Sequence, residues 1–536
     1  MQYVYPKKII AMQGFDGAEN FCAEKPLQIG LNEHDLSVVH GKGYVIFDFG
    51  KELSGGVRIL TFLAKGGKTV RLRFGESVGE ACAEIGEKNA TNDHSIRDFC
   101  VDLQNYSDMT FGQTGFRFLR IDVLSDDAEI SFKAVVAAVD ADTREQLGTF
   151  ACDDPLVNQI FDTAAYTLRL CLQNGYIWDG VKRDRLVWIG DLYPEMRAAH
   201  VLYGDVPEIT RCLDFAMQET PLPNWMAGIH TYSVWWLIIL CDEFAISGDK
   251  GAFEKYLPYV KGLLNQIAPY VAENGETSFG SDFIDWATSY ENGDEEKRRD
   301  CKAGAYYLTK IAFQKTSAFL RAYGEDTALC EEMLGRQEKY APKAERFKQI
   351  AGLGAWSGDL SENNKNLLVA GGAKGLSIFM SYPILTGVAA CGEYETALSM
   401  MKEYYGGMLS VGATTFWEDF DLSWLENSCR LDELPAQGQK DIHGDHGAHC
   451  YLGYRHSLCH GWSAGVTAYL METLVGVKPM GTGLREIKIQ PRLSGLKRVK
   501  ATYPTPYGVL KIEHELQADG KVKTTVDAPD GVKIVQ

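Results

Sequence analysis

The sequence predicts a multidomain α and β protein: an (α/α)6 helical toroid flanked by an N-terminal β-sandwich and a small C-terminal β-domain. Three observations carry this expectation. The chain has 536 residues, more than one ordinary hydrophobic core accommodates. Its apolar residues alternate with period two up to about residue 148 and then switch to helical spacing. From about residue 477 the alternation returns. The expected segments are therefore 1–148, 149–476 and 477–536.

In the first segment, Tyr44–Gly50, Gly55–Ala64 and Lys68–Ser77 alternate apolar and polar side chains between glycine-rich breaks, as half-buried strands do. Met109–Leu124 and Glu129–Val139 continue the pattern, and strands of this length and spacing suggest a sandwich. The polar stretch Glu80–Asp98 reads as an inserted loop. Near residue 150 an Asp N-cap candidate, Pro155 in the first turn and Gly175 at the end frame the first helix. Helix spacing recurs over 191–203, 207–219, 229–247, 251–272, 304–324, 326–350, 376–392, 394–405 and 460–475. So many helices, joined by loops rich in Gly, Asp and Trp, suggest antiparallel pairs arranged in a ring. Periodicity alone fits an open solenoid equally well. Short strands within 485–493, 498–516 and 521–529 complete the layout.

Composition excludes several classes of function. A formal charge of −18 opposes binding of DNA or RNA, whose phosphates require a basic surface. No run of about 18 apolar residues predicts a membrane span. The N-terminal stretch lacks a secretory apolar core and a small-residue cleavage site. The 13 cysteines form no CxxC pair, and the closest two, Cys450 and Cys459, match neither a zinc ribbon nor a redox motif. Reduced thiols in a cytoplasmic protein are expected. Walker, nucleophile-elbow and Rossmann signatures are missing from the sequence.

Four inter-helix stretches carry potential chemistry. Trp178–Glu195 crowds Asp179, Arg183, Asp184, Arg185, Trp188, Asp191 and Glu195 into one connection. Such a density of charge suits either a solvated loop, with Asp191 as a helix cap, or the wall of a cavity. Ser278–Ser289 holds Asp282, Asp285 and Trp286; Gly412–Trp424 holds Trp417 and Glu418; His456–Gly465 holds His460 and Trp462. Aromatic platforms beside carboxylates and guanidinium groups are what a sugar pocket needs, and four such loops point to one cleft. His443, Asp445, His446 and His449 have metal-ligand chemistry, yet their spacing matches no standard zinc signature. No metal is expected.

These motifs resemble the α-L-rhamnosidases of glycoside hydrolase family 78. The family signature Asp-Cys-Pro-x-Arg-Glu-Arg-Leu-Gly-Trp-Thr-Gly-Asp aligns without a gap to Asp179–Asp191. DFGKELSG near Asp48, FIDWA, TTFWE, HGWSAG and PTPYG extend the likeness, in order, over nearly the whole chain. The resemblance implies removal of terminal α-L-rhamnose by an exo-acting, inverting enzyme without a cofactor. Glu418 becomes the general base. Asp184 becomes the general acid, where the family commonly has Glu, with Glu195 in reserve. Asp179, Arg183, Trp188, Asp191, Asp285 and Trp286 would hold the sugar, and His460 and Trp462 would close the pocket. Gly180 and Val181 replace the family's Cys-Pro, marking a divergent branch whose substrate is another α-linked sugar or a uronic acid on the alternative reading. A non-catalytic carbohydrate-binding relative is the reading from outside the enzymes.

The expected partner is a small-molecule or oligosaccharide glycoside, not nucleic acid or membrane, and the sequence does not indicate an oligomeric state. An extended acid loop would turn Arg183 and Arg185 both away from Asp184. The shorter Asp side chain would leave the two carboxyl groups at or beyond the upper end of the ~6.5–9.5 Å gap of inverting enzymes.

Overall fold

The computed structural model describes residues 2–290, 294–449 and 451–535; Cys450 lies outside them. The N-terminal strands are β1 (Gln2–Val4), β2 (Lys8–Asp16), β3 (Ser37–Lys65), β4 (Thr69–Gly75), β5 (Asp98–Asp102), β6 (Ser107–Val123) and β7 (Glu129–Val139). They form an antiparallel sheet in the order β1-β7-β3-β6-β4-β5, with β2 on β3. The two strands expected at Tyr44–Gly50 and Gly55–Ala64 are one continuous strand, β3, whose register shifts against β6 between Asp48 and Leu53. The shift bends β3 without ending its pairing, as a bulge does, so glycines that read as a break mark a bend. Phe21, Phe47, Phe49, Phe74, Phe116 and Phe132 fill the core of this domain.

The helical domain alternates outer and inner segments. Pro155–Cys171, Pro207–Glu219, Leu257–Ile267, Ala328–Gln337, Glu362–Val369 and Tyr394–Ser410 precede, in turn, Leu192–Tyr203, His230–Ser247, Glu295–Ala322, Lys348–Trp356, Ser381–Ala390 and the helical run 461–474. Each of these second, inner segments packs on the next, and the last packs back on the first. That closing contact distinguishes a ring from a solenoid. The inner segment His230–Ser247 is apolar on all sides and buried from Thr231 to Phe244, as a helix surrounded by others must be.

Several helix limits differ from expectation for local reasons. Helix 295–322 begins nine residues before 304, because its first turns are charged and carry no apolar period. Asp294 caps it, accepting from the Lys297 amide at 3.1 Å. The expected helix 326–350 is two helices, 328–337 and 348–356. Pro342 lies between them and cannot donate to a continuing ladder. Helix 362–369 was not anticipated.

An aromatic column fills the toroid axis. Trp462 stacks on Phe379 with ring centres 5.1 Å apart. Phe379 meets Trp235 at 6.1 Å, Trp235 meets Trp356 at 5.8 Å, and Trp356 meets Tyr193 at 4.9 Å. Cavities lie on both sides of it. One, of about 520 Å³, takes in Arg346–Gln349 and Lys374–Phe379 at the N-terminal ends of two inner helices. The other, of about 380 Å³, opens at the C-terminal ends of the same helices, at Trp356 and Ala390.

The C-terminal domain contains a three-stranded sheet and a four-stranded sheet. Thr149–Cys152 forms the edge of the latter, paired antiparallel with Val499–Thr502, so the segment entering the toroid is stitched to the domain that leaves it. Among the described residues no helix is long and apolar enough to cross a membrane.

Candidate active site

Asp179 follows a short hairpin, Leu172–Gln173 with Tyr176–Ile177. Its carbonyl accepts from the Gly461 amide at 2.6 Å, and Gly180 bridges His460 in antiparallel fashion. The acid loop and the His460 loop are thereby sewn together by backbone. The Asp179 carboxylate, 2% exposed, accepts from the Leu186 amide at 2.8 Å. Asp191 has no side-chain cap hydrogen bond; Tyr232 donates its hydroxyl to Asp191 at 3.1 Å. The helix-cap reading of Asp191 is therefore wrong: its carboxyl faces the cluster.

Arg183 sits at the centre. One guanidinium nitrogen contacts Asp184 at 2.6 Å and another contacts Glu418. A planar fork of this kind holds two carboxyl groups in fixed relation. The expectation that both arginines avoid Asp184 holds only for Arg185, which covers the Trp178 ring at 4.9 Å and donates to the Gln113 carbonyl at 3.2 Å. Asp184 and Arg185 have φ of 55° and 59°, in the left-handed region that L-residues seldom adopt. The loop is thus not extended, and the alternation assumed for it does not apply. A single guanidinium bridges Asp184 and Glu418. Asp184 also lies 3.2 Å from His94, supplied by the inserted loop of the β-domain.

Glu418 is 2% exposed. Its amide donates to the Ser457 carbonyl at 3.0 Å, and its Oε2 accepts from the Ser457 amide at 3.0 Å. Trp462 donates its indole N–H to the Glu418 carbonyl at 3.1 Å. His460 Nε2 lies 3.7–3.9 Å from carboxylate oxygens of Glu418, Asp179 and Asp191. Burial, then the Arg183 charge, push its imidazole well below the usual histidine range. The carboxyl groups are driven the other way: burial, then the neighbouring Asp191, raise Asp179, and burial raises Asp191 itself. Each shift follows from placing charge in a poorly solvated site.

Glu418, Asp285, Trp286 and Trp462 line the 520 Å³ cavity together with Phe379, Asp419, Trp424 and Tyr451. Asp179, Arg183, Asp184, Trp188, Asp191 and His460 are not among its described lining; of these, Arg183 and His460 reach Glu418 directly. Trp188 is half-buried and meets Tyr232 at 6.2 Å. Asp285 accepts from the Ser377 hydroxyl, and burial raises its carboxyl to about 6. Asp419 is raised to about 7 by burial and by Asp285. Asp282 is occupied in a turn, accepting from the Phe279 amide and the Ser278 hydroxyl. Glu195 is buried under Gly461 with Oε1 unpartnered among the described residues, and it does not line the cavity. In the histidine-rich loop, His443 directs both ring nitrogens to protein groups, the Ser77 hydroxyl and the His456 carbonyl, each at 2.9 Å.

Three family models, all of bacterial α-L-rhamnosidases, match in order. The concanavalin-like domain matches residues 39–138, the six-hairpin glycosidase domain 145–350, and the C-terminal domain 476–535. The chain belongs to the bacterial α-L-rhamnosidase family. One curated relative, an α-L-rhamnosidase of Alteromonas sp. (strain LOR), is 25% identical over 533 residues, spanning 89% of this chain and 54% of its own length. A family 78 rhamnosidase structure from Bacillus sp. GL1 superposes with a TM-score of 0.76 at 20% identity, covering 97% of this chain and 55% of that one. A rhamnosidase structure from Klebsiella oxytoca with rhamnose bound gives 0.64 at 19% identity, covering 88% and 95%. The chain spans about half the length of the curated relatives it matches. Within this rhamnosidase framework, sequence reasoning missed His94, Phe379, Tyr451 and Lys348. Lys348 is a buried cavity-lining lysine, lowered by burial to about 8, that donates to the Leu368 and Gly372 carbonyls. Its position before an apolar helix was the available signal. His94 had none, because only the fold brings the β-domain loop to the acid loop.

Proposed function

We propose that this protein is an exo-acting glycoside hydrolase that removes terminal α-L-rhamnose with inversion of configuration. The observation that carries the reading is Glu418, fixed in the wall of a sugar-sized cavity while sharing the Arg183 guanidinium with Asp184. A carboxylate has about four acceptor positions. Arg183 and the Ser457 amide take two on Glu418, leaving capacity for a water. Glu418 accepts a proton from that water as it attacks the anomeric carbon, and Asp184 protonates the departing oxygen. Trp286 and Trp462 supply apolar faces for the sugar ring, and Asp285 supplies a hydrogen-bonding carboxyl. The twelve described cysteines are all unpaired, which supports a cytoplasmic setting.

One observation favours a second reading of the acid. Asp419 lines the cavity and keeps its proton to about 7, whereas Asp184 is outside the described lining. Turnover of an aryl α-L-rhamnoside by Glu418→Gln tests the base. The expected loss is ~10²–10⁴-fold with substrate binding retained, and proton NMR of the first-formed sugar should show the inverted anomer. A loss below about tenfold, or a retained anomer, sinks the assignment.

A further inference from the structure

Behind Arg183 lies a buried ionic cluster that the reaction does not use directly. Lys182 is 7% exposed. Its ammonium stands 3.0 Å from Glu76 Oε2 and 3.2 Å from Glu80 Oε1, and donates to the Tyr454 and His456 carbonyls at 2.9 and 2.5 Å. Glu76, Glu80 and His443 cluster as metal ligands do, but the charge they surround is a lysine. A buried ammonium with two carboxylates and two carbonyls has its donors satisfied, which burial requires.

Glu76 also faces forward. Its Oε2 accepts from the Leu458 amide at 2.6 Å and its Oε1 from the Ser457 hydroxyl at 3.2 Å. The adjacent Ser457 amide donates to Glu418 Oε2. Two consecutive amides therefore point to two carboxylates, one in the β-domain and one in the site, and the Ser457–Leu458 segment is held between them. Lys182 and Arg183 repeat the arrangement: the first faces Glu76, the second faces Glu418, and Arg183 Nε grips the Arg455 carbonyl at 3.1 Å. We propose that Glu76 of the N-terminal β-domain is a positioning residue for Glu418, held in place by Lys182, so that the β-domain sets the aim of the catalytic base. The inference rests on Glu418 being that base.

Replacing Glu76 by Gln removes the charge that faces Lys182 and turns one of its two acceptor oxygens into a donor, which loosens the hold on the Ser457–Leu458 segment. The segment could then rotate, and the Ser457 amide would leave Glu418 Oε2. Binding of the sugar, made by other cavity walls, would remain. The test measures kcat and KM on an aryl α-L-rhamnoside for Glu76→Gln, Glu76→Asp, Ser457→Ala and Glu418→Gln in the full chain, with thermal midpoints alongside. The inference expects Glu76→Gln to lower kcat at least tenfold with KM within about twofold, Glu76→Asp to recover part of the loss, and Ser457→Ala to lower kcat about threefold. Should Glu76→Gln not fold, Glu76→Asp and Ser457→Ala decide through the same kcat-against-KM split. A wild-type kcat in the folded variants, or kcat losses matched by KM changes, overturns the positioning role while Glu418→Gln remains inactive. An active Glu418→Gln instead overturns the assignment of the base itself.

Discussion

Asp184 and Arg185 occupy left-handed backbone beside a guanidinium that also grips Glu418, and a strained turn of this kind persists only where its surroundings hold it. The two candidate proton donors predict different kinetics. If Asp184 protonates the leaving oxygen, Asp184→Asn should slow a rhamnoside with a poor leaving group at least tenfold more than a nitrophenyl rhamnoside, which departs without protonation. Equal losses on both substrates, together with a leaving-group-dependent loss in Asp419→Asn, would transfer the role to Asp419. Asp419 also has a consequence for stability. Its carboxyl ionises near 3.8 in the unfolded chain but only at about 7 in the fold. Between those values the folded state binds the extra proton, so this group's contribution is full below 3.8 and is lost as pH rises toward 7. Buried His460 and His456, lowered in the fold, have the opposite sign and are lost as pH falls. The difference between wild type and Asp419→Asn isolates the carboxyl: the variant's thermal midpoint should gain on wild type as pH rises from 4 to 7. A constant offset across that range would contradict the shift.

At the level of elements, the site is two loops sewn back to back, and Gly461 is the seam. Its amide reaches the Asp179 carbonyl, and a Cβ there would collide with Glu195 Oε1. Gly461→Ala should therefore destabilise the protein by ~1–3 kcal/mol, the range for overfilling a packed site, and lower kcat by displacing the His460 loop. A thermal midpoint equal to wild type would show that Glu195 swings clear. The sequence made these loops visible because charges and tryptophans crowd where helices meet, a local property. It did not show that Asp191 turns inward rather than capping its helix, since both uses follow the same residue pattern. Lys182 was similarly opaque. A lysine in a charged loop looks solvated until Glu76, from a different domain, is placed beside it. The Asp184 turn was hidden because no glycine or asparagine announces it.

For the whole molecule, the change from period two to helical spacing and back located the β, α and β parts, whereas ring closure depended on the packing of segment 461–474 against 192–203, contacts that no local period encodes. The strand Thr149–Cys152, paired into the C-terminal sheet, was hidden for the same reason: its partner is far along the chain. Closure also determines what the aromatic column does. With Trp462, Phe379, Trp235 and Trp356 in ring-to-ring contact along the axis, the chamber holding Glu418 is separated from the cavity on the far side. On the proposed reading a sugar chain would enter by its tip and meet these rings, so a rhamnose flanked on both sides should go uncut while a terminal one is released. Oligosaccharides with blocked and free non-reducing ends would separate the cases, and cleavage of a blocked one would disprove that reading. On the same reading the opening that admits the chain must also release the product. The freed monosaccharide must back out before the next chain tip arrives, so added L-rhamnose should act as a competitive inhibitor, raising KM and leaving kcat untouched.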